Sequence, residues 1–377
     1  MHLDLDVRMK RFPLRLCLAC LLLSPASYVF AQEPAAVITG TVTDSETGTS
    51  LSDAHVFIAV SMNGSVTDAA GAYRLDNVPL GAHRLYVSIV GYEPQALDVF
   101  LREPGAHTFD FTLQRAVVEV GEVEVTAERD ERWRRRLEKF IRLFIGETPN
   151  ATHTQILNPE VLDFTDKMGR FTARASETLV IENQALGYRI HYFLKEFAAT
   201  PNRTMYDGEP LFEEMEPSSV EERGRWQQNR SEAFHGSFRH FMLALLGDRV
   251  EESGFVTYHR PPSRENLTGS ATPSGQRFPL DITTIIKVGD DEQERILDFH
   301  GFVDVVYTQE VEDEAYLAWR GRGGRPKYRS SMILLENGPT VVDLKGDVVD
   351  PYGVTFYGYL AFERVADELP KEYRPWH

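Results

Sequence analysis

The chain has 377 residues and a mass of 42.8 kDa, enough for two ordinary domains. Its 57 acidic and 40 basic side chains give a formal net charge of −17. That excludes a nucleic-acid binder, which needs a basic face to displace counterions, and argues against broad adhesion to anionic lipid. Hydrophobic residues make up 42% and charged residues 26%, the balance of a globular chain whose core needs no metal or disulfide staple.

Arg8, Lys10, Arg11 and Arg15 flank an apolar run from Leu14 to Leu23, followed by a small-residue stretch ending at Ala31. This is the layout of a secretory signal, so residues 1–31 are expected to be removed. A retained membrane anchor is the competing reading, but the run is shorter than the ~20 residues that span a bilayer. Asp4 and Asp6 are atypical of such a leader, which makes Met9 an alternative start. Both cysteines, Cys17 and Cys20, fall in this segment, leaving a chain without thiols that suits an oxidising compartment. Lipidation of Cys20 competes with cleavage, but Leu21–Leu23 carry the apolar run past it. The expected location is the periplasm or the outer-membrane surface, with secretion as the alternative.

From Val37 to Thr126 the pattern has period two, with turn residues at the spacing of a β-sandwich. Val37–Thr43 is a β-branched run; Ala54, Val56 and Ile58 alternate, as do Leu85, Val87 and Ile89. Asn63-Gly64 predicts a hairpin turn with positive φ, and Val78-Pro79-Leu80-Gly81 another turn. Phe109, Phe111 and Leu113 supply a last inward face. The stretches "GTVTDSETGTSLSDAHVFI", "TDAAGAYRLDNVPLGAHRLYVSIVGYEP" and "FTLQ" resemble the carboxypeptidase regulatory-like domain, a transthyretin-like β-sandwich found at the N-termini of exported Bacteroidota proteins and of many TonB-dependent receptors. The resemblance implies a non-catalytic accessory module over residues 36–126. The following "VVEVGEVEVTA" is similar to the segment entering the plug of TonB-dependent receptors. The remaining chain is too short for a barrel of about 22 strands at ~9–11 residues each, and a final strand and linker is the plainer reading.

An amphipathic linker helix is expected over residues 127–147, with Trp133, Leu137, Phe140, Ile141 and Phe144 on one face and Arg134–Arg136 as a solvated flank. Residues 148–377 then read as an α+β domain. Strands are expected at Phe171–Ser176, Leu179–Glu182, Tyr188–Ala198 and Thr204–Glu213. A single helix follows over Ser218–Leu246, with Phe234, Phe238, Phe241 and Leu245 buried. Gly269–Gly275 is a polar loop. Further strands are expected at Ile282–Val288, Arg295–Asp298, Phe302–Gln309, Tyr316–Trp319 and Arg329–Leu335, and a short helix at Ala361–Leu369. The expected fold is mainly β, a transthyretin-like sandwich followed by an α+β domain with antiparallel sheet and a few helices. "IENQALGYRIHYFLKEF", "WQQNRSEAFHGSFRHFMLALL" and "ERVADELPKEYRPW" resemble the downstream region of Bacteroidota envelope proteins carrying the same N-terminal module, a resemblance that implies no activity.

Catalytic motifs are missing. No histidine beyond the leader has a glutamate three residues on, and HExxH, GxSxG and SxxK do not occur. His235 and His240, on one continuous helix, would face about 140° apart at about 100° per residue, and could share an ion only if Gly236 broke the helix. Ser237 between them is a local coincidence. Asp343, Asp347 and Asp350 miss the EF-hand spacing and read as turn carboxylates. Gly321, Gly323 and Gly324 lie in "RGRGGRP" without the Lys-Ser/Thr of a phosphate loop. No cofactor is expected. Trp226 and Arg230, four apart on the predicted helix with Arg239 opposite, are the candidate partner-binding pair, since aromatic–arginine pairs recur at contact sites. The leading reading is a non-enzymatic exported envelope protein, a binding or scaffold module for a protein or glycan partner. An accessory to TonB-dependent uptake and an unrecognised hydrolase are the alternatives.

Overall fold

The computed structural model describes residues 35–116, 127–261, 276–289, 294–321 and 325–375. Residues 1–34 with both cysteines, most of "VVEVGEVEVTA", Gly269–Gly275 and the middle of "RGRGGRP" lie outside the described residues.

Eight strands come first: β1 (Ala35–Asp44), β2 (His55–Ile58), β3 (Gly64–Val66), β4 (Ala72–Pro79), β5 (Gly81–Ser88), β6 (Gln95–Leu101), β7 (Gly105–Thr108) and β8 (Phe111–Leu113). They form two sheets, β4-β1-β7 with β8 also beside β1, and β3-β2-β5-β6. Ala36, Ile38 and Val42 alternate inward from β1 and meet Val56, Leu85, Val87 and Leu101 of the facing sheet. Each such aliphatic side chain contributes roughly 1.5–3 kcal/mol by leaving water. One turn differs from expectation. Neither Asn63 nor Gly64 takes positive φ; the left-handed residue there is Val60, at φ 58°. A β-branched residue is strained in that region. Two hydrogen bonds from elsewhere in the fold hold it: Val60 N donates to Pro210 O, and Lys371 N to Val60 O, each 2.8 Å.

A second, antiparallel sheet system follows: β9 (Thr154–Ile156), β10 (Leu162–Lys167), β11 (Arg170–Ala175), β12 (Leu179–Asn183), β13 (Tyr188–Thr200) and β14 (Arg203–Glu214), in the order β10-β11-β13-β12-β9 with β14 also beside β13. The long β13 carries β12 along Tyr188–Tyr192 and β11 along Phe197–Ala199. The predicted linker helix is α1 (Ala127–Phe144), which lays Phe140 and Phe144 on this sheet against Phe197 and Tyr192 with ring centroids 4.8 and 4.9 Å apart.

The single helix expected over Ser218–Leu246 is two, α2 (Val220–Phe234) and α3 (Phe238–Leu246). Gly236, at φ 83°, breaks them where a Cβ would meet the Tyr307 ring at 2.8 Å. Ser237 restarts the helix by accepting the His240 N–H. The rest comprises β15 (Phe255–Arg260), β16 (Phe278–Pro279), β17 (Ile286–Val288), β18 (Glu294–Leu297), β19 (Phe302–Val311), α4 (Glu314–Trp319), β20 (Tyr328–Leu334), β21 (Thr340–Asp343), β22 (Thr355–Gly358) and α5 (Tyr359–Phe362). The sheets run β16-β15-β19-β20-β22 and β17-β18-β21. Tyr316–Trp319, expected as a strand, belongs to α4, whose start Asp313 caps by accepting the Tyr316 N–H. Ile282–Ile285 is a 3-10 turn capped by Asp281, so the strand there is only β17. The expected helix Ala361–Leu369 is reduced to α5 and a 3-10 turn at Val365–Asp367.

After α5 the chain runs on as a strap to residue 375. Ala366 N bonds Ile145 O, Asn183 Nδ2 bonds Ala366 O, and Arg239 donates to the carbonyls of Pro370, Lys371 and Tyr373. The sandwich is fixed to the same body. Phe57 and Tyr86 surround Phe193 of β13 at 4.7 and 5.5 Å between ring centroids, and Phe212 N donates to Ser61 O. Residues 34–377 accordingly form one compact unit.

Candidate functional site

The predicted pair Trp226 and Arg230 is turned inward. Trp226 is 4% exposed, lies against Gly187 and donates Nε1–H to Gln184 O at 2.9 Å. Arg230 sits 4.0 Å over the Tyr188 ring and donates to Leu186 O, Gly187 O and Glu214. Both therefore clamp the turn between β12 and β13, with their donors engaged inside the chain. Arg239 holds the strap. His235 and His240 do not face apart as a continuous helix would require: the break at Gly236 brings their rings to 5.2 Å, edge to face. His240 Nδ1 accepts the Gly236 N–H, and burial pushes this imidazole down to about 4. Among the described residues no group of three or more His, Cys, Asp or Glu side chains is placed to hold a metal ion. Asp343 and Asp350 serve turns, accepting the N–H of Lys345 and of Tyr352, and Asp343 with Asp347 flanks Lys371.

A cleft of about 2050 Å³ lies in the region after the sandwich. Its floor is one face of the β15-β19-β20-β22 sheet, selected by the period-two alternation of strands. Tyr258, Asp304, Met332 and Tyr357 form one cross-strand row; Arg260, Phe302, Leu334 and Thr355 form the next. Val256, Val306 and Ser330 form a third. The opposite face sends Phe255, Val303, Val305 and Ile333 into a hydrophobic core, which makes the floor rigid. Further lining comes from the β13–β14 hairpin (Thr200–Gly208), the last turn of α1 and the residues after it (Arg142, Gly146, Glu147), α4, and Arg364 of the strap.

Aromatic side chains and charges share this lining. Trp319 and Tyr328 are 41% and 54% exposed, and Trp319 is held from behind by Tyr316 and Phe362 at 5.8 and 5.5 Å. Asp304 is 2% exposed and accepts both Nε and Nη2 of Arg260, at 3.1 and 2.6 Å, a fork geometry that satisfies a buried carboxylate. Arg277 stands 4.2 Å over the Tyr258 ring. Arg203 pairs with Glu336 at 2.5 Å, and Arg320 with the buried Glu312 at 2.9 Å. Burial, with Glu196 nearby, pushes the Tyr352 phenol up to about 12, and burial raises Tyr357 as well, so both stay protonated donors.

One signal for this site was present in the sequence. Asp304 interrupts the apolar run "FVDVVY" on the face it shares with Phe302 and Val306, and a lone carboxylate in a buried strand implies a cationic partner. That the partner is Arg260, and that the face lines a cleft, depends on strand register.

Comparisons with known proteins place one part of the chain. No curated protein matches the sequence. Among solved structures the chain is similar to a type II Cohesin-X-Dockerin complex from Acetivibrio cellulolyticus, an N-terminal interface mutant (12% identity, 30% of this chain and 78% of that one, TM-score 0.21). It is also similar to catechol 1,2-dioxygenase from Acinetobacter sp. ADP1 (14%, 26% and 59%, TM-score 0.20). A protein of unknown function from Bacteroides fragilis NCTC 9343 is similar over 86% of this chain and 95% of its own, at 10% identity and TM-score 0.19. Scores this low carry nothing about fold or function. Residues 38–125, by contrast, match the CarboxypepD_reg-like domain family, so the eight-stranded sandwich that opens the described chain is a CarboxypepD_reg-like domain.

Proposed function

We propose that this is a non-catalytic, exported envelope protein that holds a glycan in the cleft after its CarboxypepD_reg-like domain. The observation that carries the reading is the cleft lining: the exposed rings of Trp319 and Tyr328 beside ion pairs already fixed in place. A sugar ring offers an apolar face to an aromatic side chain and hydroxyls to the polar groups around it, the mixture that a largely preformed pocket recognises. Proton transfer is poorly served there. Arg260 holds both oxygens of Asp304, and Arg320 with the Lys327 N–H holds both oxygens of Glu312, which takes up the lone pairs a general base would need. Export is supported by the charge–apolar–small layout of residues 1–31.

The test is calorimetric titration of soluble polysaccharides into wild type, Tyr328→Ala and Trp319→Ala, with the polymer length measured afterwards. The expected result is binding by wild type, a loss of about tenfold or more in each variant, and polymer of unchanged length. Equal affinity in all three proteins, or a shortened polymer, would refute the reading.

A further inference from the structure

We infer that the cleft selects a polyanionic glycan, one bearing repeated carboxylate or sulfate groups; this rests on the reading of the cleft as a glycan site. The chain as a whole is strongly acidic, at −17, yet the charges that line the cleft do not cancel. Almost every carboxylate there is already neutralised. Asp304 is paired with Arg260, Glu312 with Arg320 and Glu336 with Arg203. Asp298 is held from outside the cleft by Lys287 at 2.6 Å, and Asp207 shares Lys195, at 3.7 Å, with Glu209 at 2.7 Å. Glu147 alone lines the cleft without such a partner among the described residues.

The cations are not matched in the same way. Arg142, Lys327 and Arg364 line the cleft and make no ion pair among the described residues. Arg277 is 3.9 Å from Asp304, which Arg260 already holds at 2.6 Å, and it spends its face on Tyr258. Of the acids on the strap beside Arg364, burial moves Glu363 and Glu368 toward their neutral forms. The surplus in the cleft is therefore positive, on a protein whose overall field repels anions. A cleft that concentrates the minority sign is suited to a charged ligand.

The surplus is also spread out. Tyr258, under Arg277, lies opposite Asp304, whereas Tyr328, next to Lys327, lies opposite Val311 at the far end of β19. Along β20, Tyr328 is four residues from Met332, which faces Asp304, so at the rise of an extended strand these positions are about 13 Å apart along the sheet. A single phosphate or carboxylate cannot meet both; a chain of charged sugars can, with rings against Trp319 and Tyr328 between the charges.

The experiment compares polymers that share a backbone and differ in charge: polygalacturonate with its methyl ester, and dextran sulfate with dextran, titrated at about 50 and about 500 mM NaCl. Wild type is expected to bind at least one charged polymer about tenfold or more tightly than its neutral counterpart and to weaken in high salt. The pair that responds identifies carboxylate or sulfate as the recognised group. The variant R142E/K327E, which breaks no ion pair, is expected to lose about tenfold on the charged polymer while keeping its melting temperature. R142Q/K327Q should lose less, in the same direction. Neutral and charged polymers bound equally, or a double variant that binds like wild type, would overturn the inference and leave the glycan site standing. No binding to any polymer would overturn both.

Discussion

Glu363 gives the fold a pH dependence of predictable sign. It follows α5, and its carboxyl makes no ion pair among the described residues. Arg329, the cation whose charge opposes the shift, is taken by Glu310 at 2.5 Å and lies 4.4 Å over the Tyr359 ring. Burial, with the charge of Asp367 adding to it, pushes Glu363 from 4.5 up to about 8. The folded chain thus keeps a proton that the unfolded chain releases. The associated stability is complete below the unfolded value and is lost as pH rises through the folded one. At 1.36 kcal/mol per unit, the ionisable group costs roughly 3 kcal/mol at about pH 7 and approaches roughly 5 kcal/mol well above pH 8. Glu368 and Asp367, raised by burial to about 7 and about 6, act in the same direction. His83 and His240, held down to about 4 by burial, act oppositely, since they favour the folded state as pH rises toward 6.5. The comparison belongs above that value, where Lys345, lowered to about 8 by burial, offsets part of the loss in both proteins alike. Urea denaturation of wild type and Glu363→Gln at about pH 6.5 and about pH 8.5 should show wild type losing stability, and the variant losing less and exceeding it by roughly 2–4 kcal/mol at the higher pH. Parallel pH profiles for the two proteins would refute the reasoning.

Phe193→Ala removes the β13 ring that Phe57 and Tyr86 of the sandwich cover. It should cost about 3–5 kcal/mol, and limited proteolysis should show faster cleavage between sandwich and sheet. Gly187→Ala places a Cβ 2.2 Å from the Trp226 ring, at a φ of 70°. It should lower the melting temperature markedly, by about 2 kcal/mol or more of stability, whereas a change at the exposed Gln228 should leave it unmoved.

Local patterns made the sandwich legible, because its turns and alternating strands lie close in sequence and its inward residues Val56, Leu85 and Val87 are those the period marks. Strands β11 to β14 were readable for the same reason. The helix break at Gly236 was not. Phe234, Phe238 and Phe241 keep helical spacing across it, and a glycine costs a helix only about 1 kcal/mol. What decides the break is the Tyr307 ring from a distant strand. "AYLAW" is a short, wholly apolar run that a buried strand would also show, and the cue against it was Asp313 as an N-cap. Trp226 and Arg230 looked available because the turn that covers them, Gln184–Gly187, comes from far upstream. The cleft escaped for the strongest form of this reason: its floor and walls come from α1, the β13–β14 hairpin, a sheet and the strap, which only the tertiary fold brings together.

Hydrogen–deuterium exchange of the full chain with a saturating bound polysaccharide tests the central claim most directly, because it reports where the ligand sits without altering a residue. The account predicts slowed exchange in β15, β19 and β20, whose alternate side chains form the cleft floor, with the sandwich strands unchanged. Protection confined to residues 38–125, with β15, β19 and β20 exchanging as in the free protein, would contradict it.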